Sequence, residues 1–408
     1  MTGQRRALII GGSLGGLFAA HLLRNDGWKV DVFERVAQPL AGRGAGIVTH
    51  AELFAALRRC GVPIEDGIGV EVQARFTLDA SGRTIGEFPL RQTLTSWGKL
   101  YALLRDGFPD AHYHQDACLE RIEQKRAGVT ACFADGRRIE GDLLVGADGI
   151  RSSVRSQLAS ATVPLYAGYI AWRGLVDEAA VPATLHAQIF EKFAFCLPPG
   201  EQMLGYPVAG AENSTQRGHR RYNFVWYRPA AEDTALADLL TDEQGHRHEV
   251  SIPPPLIRRD VVSRMREDAG RLLAPQFAEL VKLTEQPFFQ PIYDVESTQL
   301  VFGRVALLGD AAFVARPHVG MGVSKAAEDA VALADALRSE VAFDQALQLY
   351  QTQRLAFGAA VVARARHLGA YMQAQIKTAS EREMAERYRT PAAVMSETAT
   401  PHSMWQTS

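Results

Sequence analysis

Three stretches of this 408-residue chain set glycines beside an acid at the end of an apolar run, and each could hold a ligand bearing phosphates or hydroxyls. The first, GGSLGG at residues 11–16, reads Gly11-x-Ser13-x-x-Gly16. Gly11 permits a tight turn, Ser13 is small enough for backbone to approach a pyrophosphate, and Gly16 lets a helix pack closely on a strand. A helix opening through Gly12, Leu14 and Gly15 would offer free N–H groups and a positive dipole end to phosphate. Glu34, followed by Arg35, ends the next apolar run and can accept from ribose hydroxyls. The second stretch is GADGIRSSVR, residues 146–155, with Asp148 and Gly149; the third is VALLGDAAFVARPHVGMG, residues 305–322, with Gly309 and Asp310. Asp148 and Asp310 could each simply cap a following helix. Three acids at strand ends point instead to one crevice at the carboxyl edge of a parallel sheet.

The elements that must position these residues are legible around them. RALIIGG, SLGGLFAAHLLRNDG and WKVDVFE predict strand, helix and strand, with Leu14, Leu17, Phe18, His21 and Leu22 at helical spacing. Residues 51–60 and 98–107 read as helices. AGVTACFADGRRIEGDLLVGADG predicts three strands with a turn at Asp135-Gly136, a β-meander inserted in an α/β domain. From Pro164 the character changes to YAGYIAWRGLV, HAQIFEKFAFCL, MLGYPVA and RYNFVWYRP, aromatic and alternating, which predicts an antiparallel sheet with one buried face. SIPPPLI marks a loop before two helices and a strand near PFFQPIYDV, and residues 322–338 and 343–372 have helical periodicity. The expected fold is α/β. A Rossmann-like domain (1–70, 96–163 and 296–376) carries the parallel sheet, an α+β substrate domain (71–95 and 164–295) is built on the antiparallel sheet, C-terminal helices follow, and 377–408 is a weakly structured extension.

Composition narrows the function classes. At 47% hydrophobic and 22% charged residues the chain is that of a soluble globular protein, and 44 basic against 46 acidic residues leave no footprint for nucleic acid or an anionic membrane. Four cysteines without a CxxC pair argue against a zinc site or a disulfide framework and fit a reducing cytoplasm. The apolar run after Arg5-Arg6 is too short for a signal peptide, and nothing reads as a membrane span.

Together the three motifs resemble those of the FAD-dependent aromatic hydroxylases, over residues 1 to about 372. The resemblance implies that Gly11, Ser13, Gly16 and Glu34 hold the ADP half of FAD, that Asp148 and Gly149 touch the pyrophosphate region, and that Gly309 and Asp310 hold the ribityl chain. GRGAGI, residues 42–47, resembles the family loop that passes the flavin. Arg43 is then a gate or flavin contact, unless it is a solvated surface arginine, and Gly44, Ala45 and Gly46 give backbone access. The family's Pro-x-x-Gly-x-Gly frame falls on Pro317, Gly320 and Gly322, with Met321 between the glycines, and implies a helix N-terminus aimed at the flavin. Departures are Phe313, Met321 and Ser324 where histidine, glutamine and asparagine are usual, and TSWGKLYALL where an arginine often precedes the helix. YAGYIAWRG, RPHVGMGVSKAAEDA and GIVTHAEL look like the subgroup of 2,6-dihydroxypyridine 3-hydroxylases.

What the resemblance implies is reduction of FAD by transiently bound NADH or NADPH, reaction with O2 to a C4a-hydroperoxide, and oxygen transfer to an electron-rich aromatic or N-heteroaromatic ring. His318 is the candidate base or substrate partner, against a loop histidine satisfied by backbone or water. Tyr206, Tyr227 and His50 are further candidates, with core packing the competing reading. Trp172-Arg173 reads as a structural pair within the sheet. The same flavin chemistry could serve decarboxylative hydroxylation, N-oxygenation or Baeyer–Villiger oxidation, or the chain could bind flavin without turnover; the WxWxIP signature of flavin halogenases is absent. No metal is expected; a homodimer is compatible.

Overall fold

Short aliphatic runs, buried on both faces, build the first layer. Arg6–Ile10 pairs in parallel with Lys29–Phe33 on one side and Leu143–Gly146 on the other, and Leu143–Gly146 pairs in parallel with Val305–Leu307. Tyr113–His114 and the antiparallel Val301–Phe302 complete six strands at the two edges. The computed structural model describes residues 4–40, 46–64, 67–339, 341–401 and 404–405. Helix Leu14–Asn25 buries Leu14, Leu17, Phe18, His21 and Leu22, the face its spacing predicts, and packs against helix Gly322–Arg338.

The meander differs from expectation. Its strands are Leu119–Lys125, Gly128–Phe133 and Arg138–Gly141, whereas Leu143–Gly146 leaves it for the centre of the parallel sheet. The physical reason lies in the side chains: Arg138–Gly141 keeps a wet face, while all four residues of Leu143–Gly146 are buried.

A nine-stranded mixed sheet forms the second layer, with Leu165–Asp177, Arg221–Pro229, Gln202–Val208 and Phe288–Glu296 at its heart. It also takes in Gly46–Val48 and Phe313–Val314 from segments otherwise tied to the parallel sheet. One face, with Trp172, Phe224 and Trp226, is covered by helices Arg259–Leu272 and Pro275–Leu283. The other carries Tyr169, Phe193, Leu204, Tyr206, Val225 and Tyr227.

The described part of the last segment holds two helices, where the sequence predicts a weakly structured extension. Thr378 opens helix Ala379–Tyr388 with a capping box, and Thr390 caps Pro391–Glu397. Val394, Met395 and Ala399 join the aromatic face of the sheet. The polar composition that suggests a loose tail instead supplies caps and an Arg364–Glu397 ion pair. Among the described residues no helix is long and apolar enough to cross a membrane.

Candidate active site

The parallel sheet brings the three motifs together because their strands are neighbours. Gly309 follows Val305–Leu307, Asp148 follows Leu143–Gly146, Gly11 follows Arg6–Ile10 and Glu34 follows Lys29–Phe33, in that spatial order. Gly11 has φ +105, and a Cβ there would lie 2.4 Å from the Ala147 carbonyl oxygen; a Cβ on Gly16 would lie 1.9 Å from the Gly11 oxygen. Glu34 accepts from the Gly12 and Val36 N–H groups, at 2.9 and 3.0 Å, so its carboxylate braces the glycine loop while facing the cavity. Asp148 accepts from Ser152 Oγ, Ser153 N and Oγ, and Val154 N, at 2.5 to 3.2 Å. With the N-cap Ser152, which accepts from Arg155 N, it satisfies the first N–H groups of Ser153–Leu158, and it lines the cavity at once.

Asp310 behaves differently. No hydrogen-bond donor holds its carboxylate among the described residues; Lys325 Nζ lies 4.0 Å away. Enclosure in the fold raises its pKa, opposed by Lys325 and Arg155 and assisted by Asp329, although 53% of its side-chain surface is open to the cavity. Asp329 holds the turn, accepting from Gly309 N at 3.0 Å and Arg354 Nε at 2.6 Å. Arg155 joins the second motif to the third, donating to the carbonyls of Ile150 and Ala311 at 2.5 and 2.9 Å.

Gly11, Glu34, Asp148, Gly309 and Asp310 line one end of a cavity of about 640 Å³, within the range of a small-molecule site. Its other end is the aromatic face of the second sheet: Phe193, Leu204, Tyr206, Val225, Tyr227, Phe288 and Gln290, with Arg173 among them. Thr398 and Ala399 of the C-terminal segment complete the wall. Arg75, fully buried, fixes that segment by donating to the carbonyls of Met395, Thr398 and Ala399 at 2.7, 2.5 and 3.0 Å.

Comparison with known proteins agrees with this architecture. Models described as FAD binding domain-like, FAD binding domain and NAD(P)-binding Rossmann-like domain match residues 166–294, 280–365 and 9–55. A 2,6-dihydroxypyridine 3-monooxygenase of Paenarthrobacter nicotinovorans is 34% identical over 90% of this chain and 91% of its own. The chain belongs to the FAD-dependent aromatic hydroxylases. A solved 2,6-dihydroxypyridine-3-hydroxylase from Arthrobacter nicotinovorans superposes with a TM-score of 0.85 at 33% identity, covering 91% of this chain and 93% of that one. Klebsiella pneumoniae HpxO, solved with FAD and uric acid, gives 0.72 at 26% identity, with 95% and 94% covered.

As in other FAD-dependent aromatic hydroxylases, FAD is the cofactor, and the residues present fit it. The glycine loop tolerates no side chain at 11 or 16, and Asp310 presents an unbonded carboxylate to the cavity. Gly320, at φ +66, turns the chain so that Gly322 and Val323 open the long helix onto the cavity. Bound FAD supplies electron transfer from the reductant and activation of O2. The chain's own work is to hold the dinucleotide along the strand ends, place a ring against the aromatic face and keep water out.

Of the remaining sequence candidates, Ser13, Leu14, Gly15, Arg35, Gly46, Gly149, Pro317, Tyr206 and Tyr227 line the cavity, whereas Gly12, Gly16 and Met321 stand behind its wall. Arg43, Gly44 and Ala45 lie outside the described residues. His50 is buried, with Nε2 against the Gly320 oxygen at 3.1 Å, and is not in the wall. His318 also lies behind the wall, its Nε2 2.9 Å from Tyr169 Oη and its ring beneath Tyr227. Burial, aided by Arg316 and Arg173, pushes its pKa down to about 3. The ring is therefore neutral near pH 7, and it packs against Tyr169 and Tyr227 behind the wall.

Sequence reading missed four charged residues here. Arg173 points away from its neighbour Trp172, which packs on Phe289, and lines the cavity instead. The alternation of a strand holds the signal, since adjacent residues face opposite sides. Lys325 and Asp329, one turn apart on an alanine-rich buried helix face, and Arg155, inside the second motif, were equally visible.

Proposed function

We propose that this enzyme hydroxylates an electron-rich, hydroxylated N-heteroaromatic ring of the hydroxypyridine class, with NADH or NADPH as reductant. One ring carbon–hydrogen bond becomes carbon–hydroxyl; O2 supplies one oxygen atom to product and one to water, and NAD(P)H with a proton supplies the electrons. The observation that carries this reading is the continuity of the cavity. The dinucleotide crevice opens directly onto an aromatic sheet face bearing two tyrosine hydroxyls, Arg173 and the Gln290 amide. A flat ring stacks or packs edge-on against such a face while a few polar groups fix its orientation. Similarity to a dihydroxypyridine monooxygenase across nine tenths of both chains supports the substrate class.

The purified protein, reconstituted with FAD, is expected to consume NAD(P)H and O2 faster when 2,6-dihydroxypyridine is added, and to incorporate label from isotopic O2 into a trihydroxylated product. Reductant consumption without labelled product, across 2,6-dihydroxypyridine, 6-hydroxynicotinate and urate alike, would remove the substrate assignment.

A further inference from the structure

The sheet end of the cavity contains a cation that no other described residue neutralises. Arg173 lines the cavity, its Nε is buried without a hydrogen-bond partner, and among the described residues no carboxylate lies within ion-pair distance. Opposite it in the ladders stand Val225 and Phe288, which are apolar. The titratable groups it faces are Tyr206, Tyr227 and His318. The nearby Arg316 differs, being paired with Asp294 at 3.0 Å. The carboxylates that line the cavity, Glu34, Asp148 and Asp310, all stand at the ends of the parallel strands.

A second cation lies behind the same wall. The Arg75 guanidinium sits 4.9 Å from the centre of the Phe193 ring, and its partners are carbonyl oxygens and Gln92, none of them charged. An unpaired buried donor is costly, and a guanidinium in a water-poor pocket is best satisfied by an oxyanion.

We infer that Arg173 reads the charge of the substrate: the ring binds already deprotonated, with an anionic ring oxygen on the guanidinium, and no side chain of the cavity takes its proton. The inference rests on the substrate class proposed above and selects, within it, rings with an ionisable hydroxyl over their O-alkylated counterparts. No histidine, aspartate or glutamate lines the sheet end among the described residues. Burial holds both tyrosines protonated, Tyr227 up to about 12, with Arg173 pulling the other way, so they donate to a ligand oxygen and cannot accept its proton near pH 7. Specificity and activation then coincide, because the deprotonated ring is also the more nucleophilic one.

The test measures dissociation constants on the FAD-loaded protein by perturbation of flavin absorbance, from about pH 5 to 10. For 2,6-dihydroxypyridine the constant should fall about tenfold per pH unit below the ring's own pKa and level off above it. The dimethoxy analogue should bind weakly and without pH dependence. Arg173→Lys should keep the shape of the profile with several-fold weaker binding, whereas Arg173→Met should flatten it and weaken the anion at least about tenfold while FAD affinity stays parental. A flat parental profile, or a steep one retained in Arg173→Met, overturns the inference. Should 2,6-dihydroxypyridine bind at no pH, the substrate class fails by itself. The same titration with urate and 3-hydroxybenzoate then decides the subsite: a preference for anions lost in Arg173→Met upholds it, and indifference to charge overturns it.

Discussion

The two ends of the cavity are built by opposite means. At the dinucleotide end, backbone and short acids do the work: Glu34 and Asp148 satisfy neighbouring N–H groups, and glycines sit where a Cβ would strike main chain. At the sheet end, long side chains from strands far apart in sequence make the wall, and one of them, Arg173, has no carboxylate partner among the described residues and a buried Nε without a hydrogen bond. The first end is a fixed cradle that serves any protein needing the same ligand. The second holds its polar groups open, as a surface does when its specificity comes from what it binds.

The largest break in this contrast should come from Gly16→Val. Its Cβ would lie 1.9 Å from the Gly11 oxygen, main chain that cannot swing aside, so the loop or the helix must move. We expect a loss of at least about 4 kcal/mol in stability and no retained FAD, read by melting temperature and by the ratio of flavin to protein absorbance. Parental flavin content in a folded Gly16→Val protein would show that the cradle is not rigid.

Arg75→Met should strike the other end alone. Removing the guanidinium leaves the buried carbonyl oxygens of Met395 and Thr398 without their donor and that of Ala399 with Gln92 alone, a cost of about 2 kcal/mol or more. The expected result is faster proteolysis between residues 373 and 400 and several-fold weaker ring binding, with FAD affinity kept. Equal losses of FAD and ring binding would mean that the two ends are not separable.

How much of this was legible in the sequence follows the same division. The glycine loop, Glu34, Asp148 and Asp310 are readable because local chemistry fixes them: a φ of +105 at Gly11, caps within six residues of Asp148, strand ends on consecutive motifs. Leu143–Gly146 was misplaced because a short buried strand has no period that tells one sheet from another. The helices at 379–397 were missed because their stabilising contacts, above all Arg75, come from residues some 300 positions away. Arg173 was read by its neighbour in sequence rather than by its face of the strand. Non-local pairing assembles the sheet end, and a single sequence states that pairing weakly.

The smallest effect is expected at His318, which lies between the two ends and separates a structural histidine from a catalytic one. Its pKa in the fold is about 3 against an ordinary 6.5, so the unfolded chain binds the proton first. Stability from this group is complete above about pH 6.5 and declines as pH falls toward 3, by up to about 1.4 kcal/mol per pH unit. His318→Gln keeps a polar group for Tyr169 but does not titrate. Its melting temperature should therefore fall less than the parent's between pH 7 and pH 5, the other buried histidines being common to both. The pH dependence of ring binding should not change, since that titration belongs to the ring itself. A binding profile that lost its slope in His318→Gln, with the stability slope intact, would return the histidine to the active site and move the reading of charge away from Arg173.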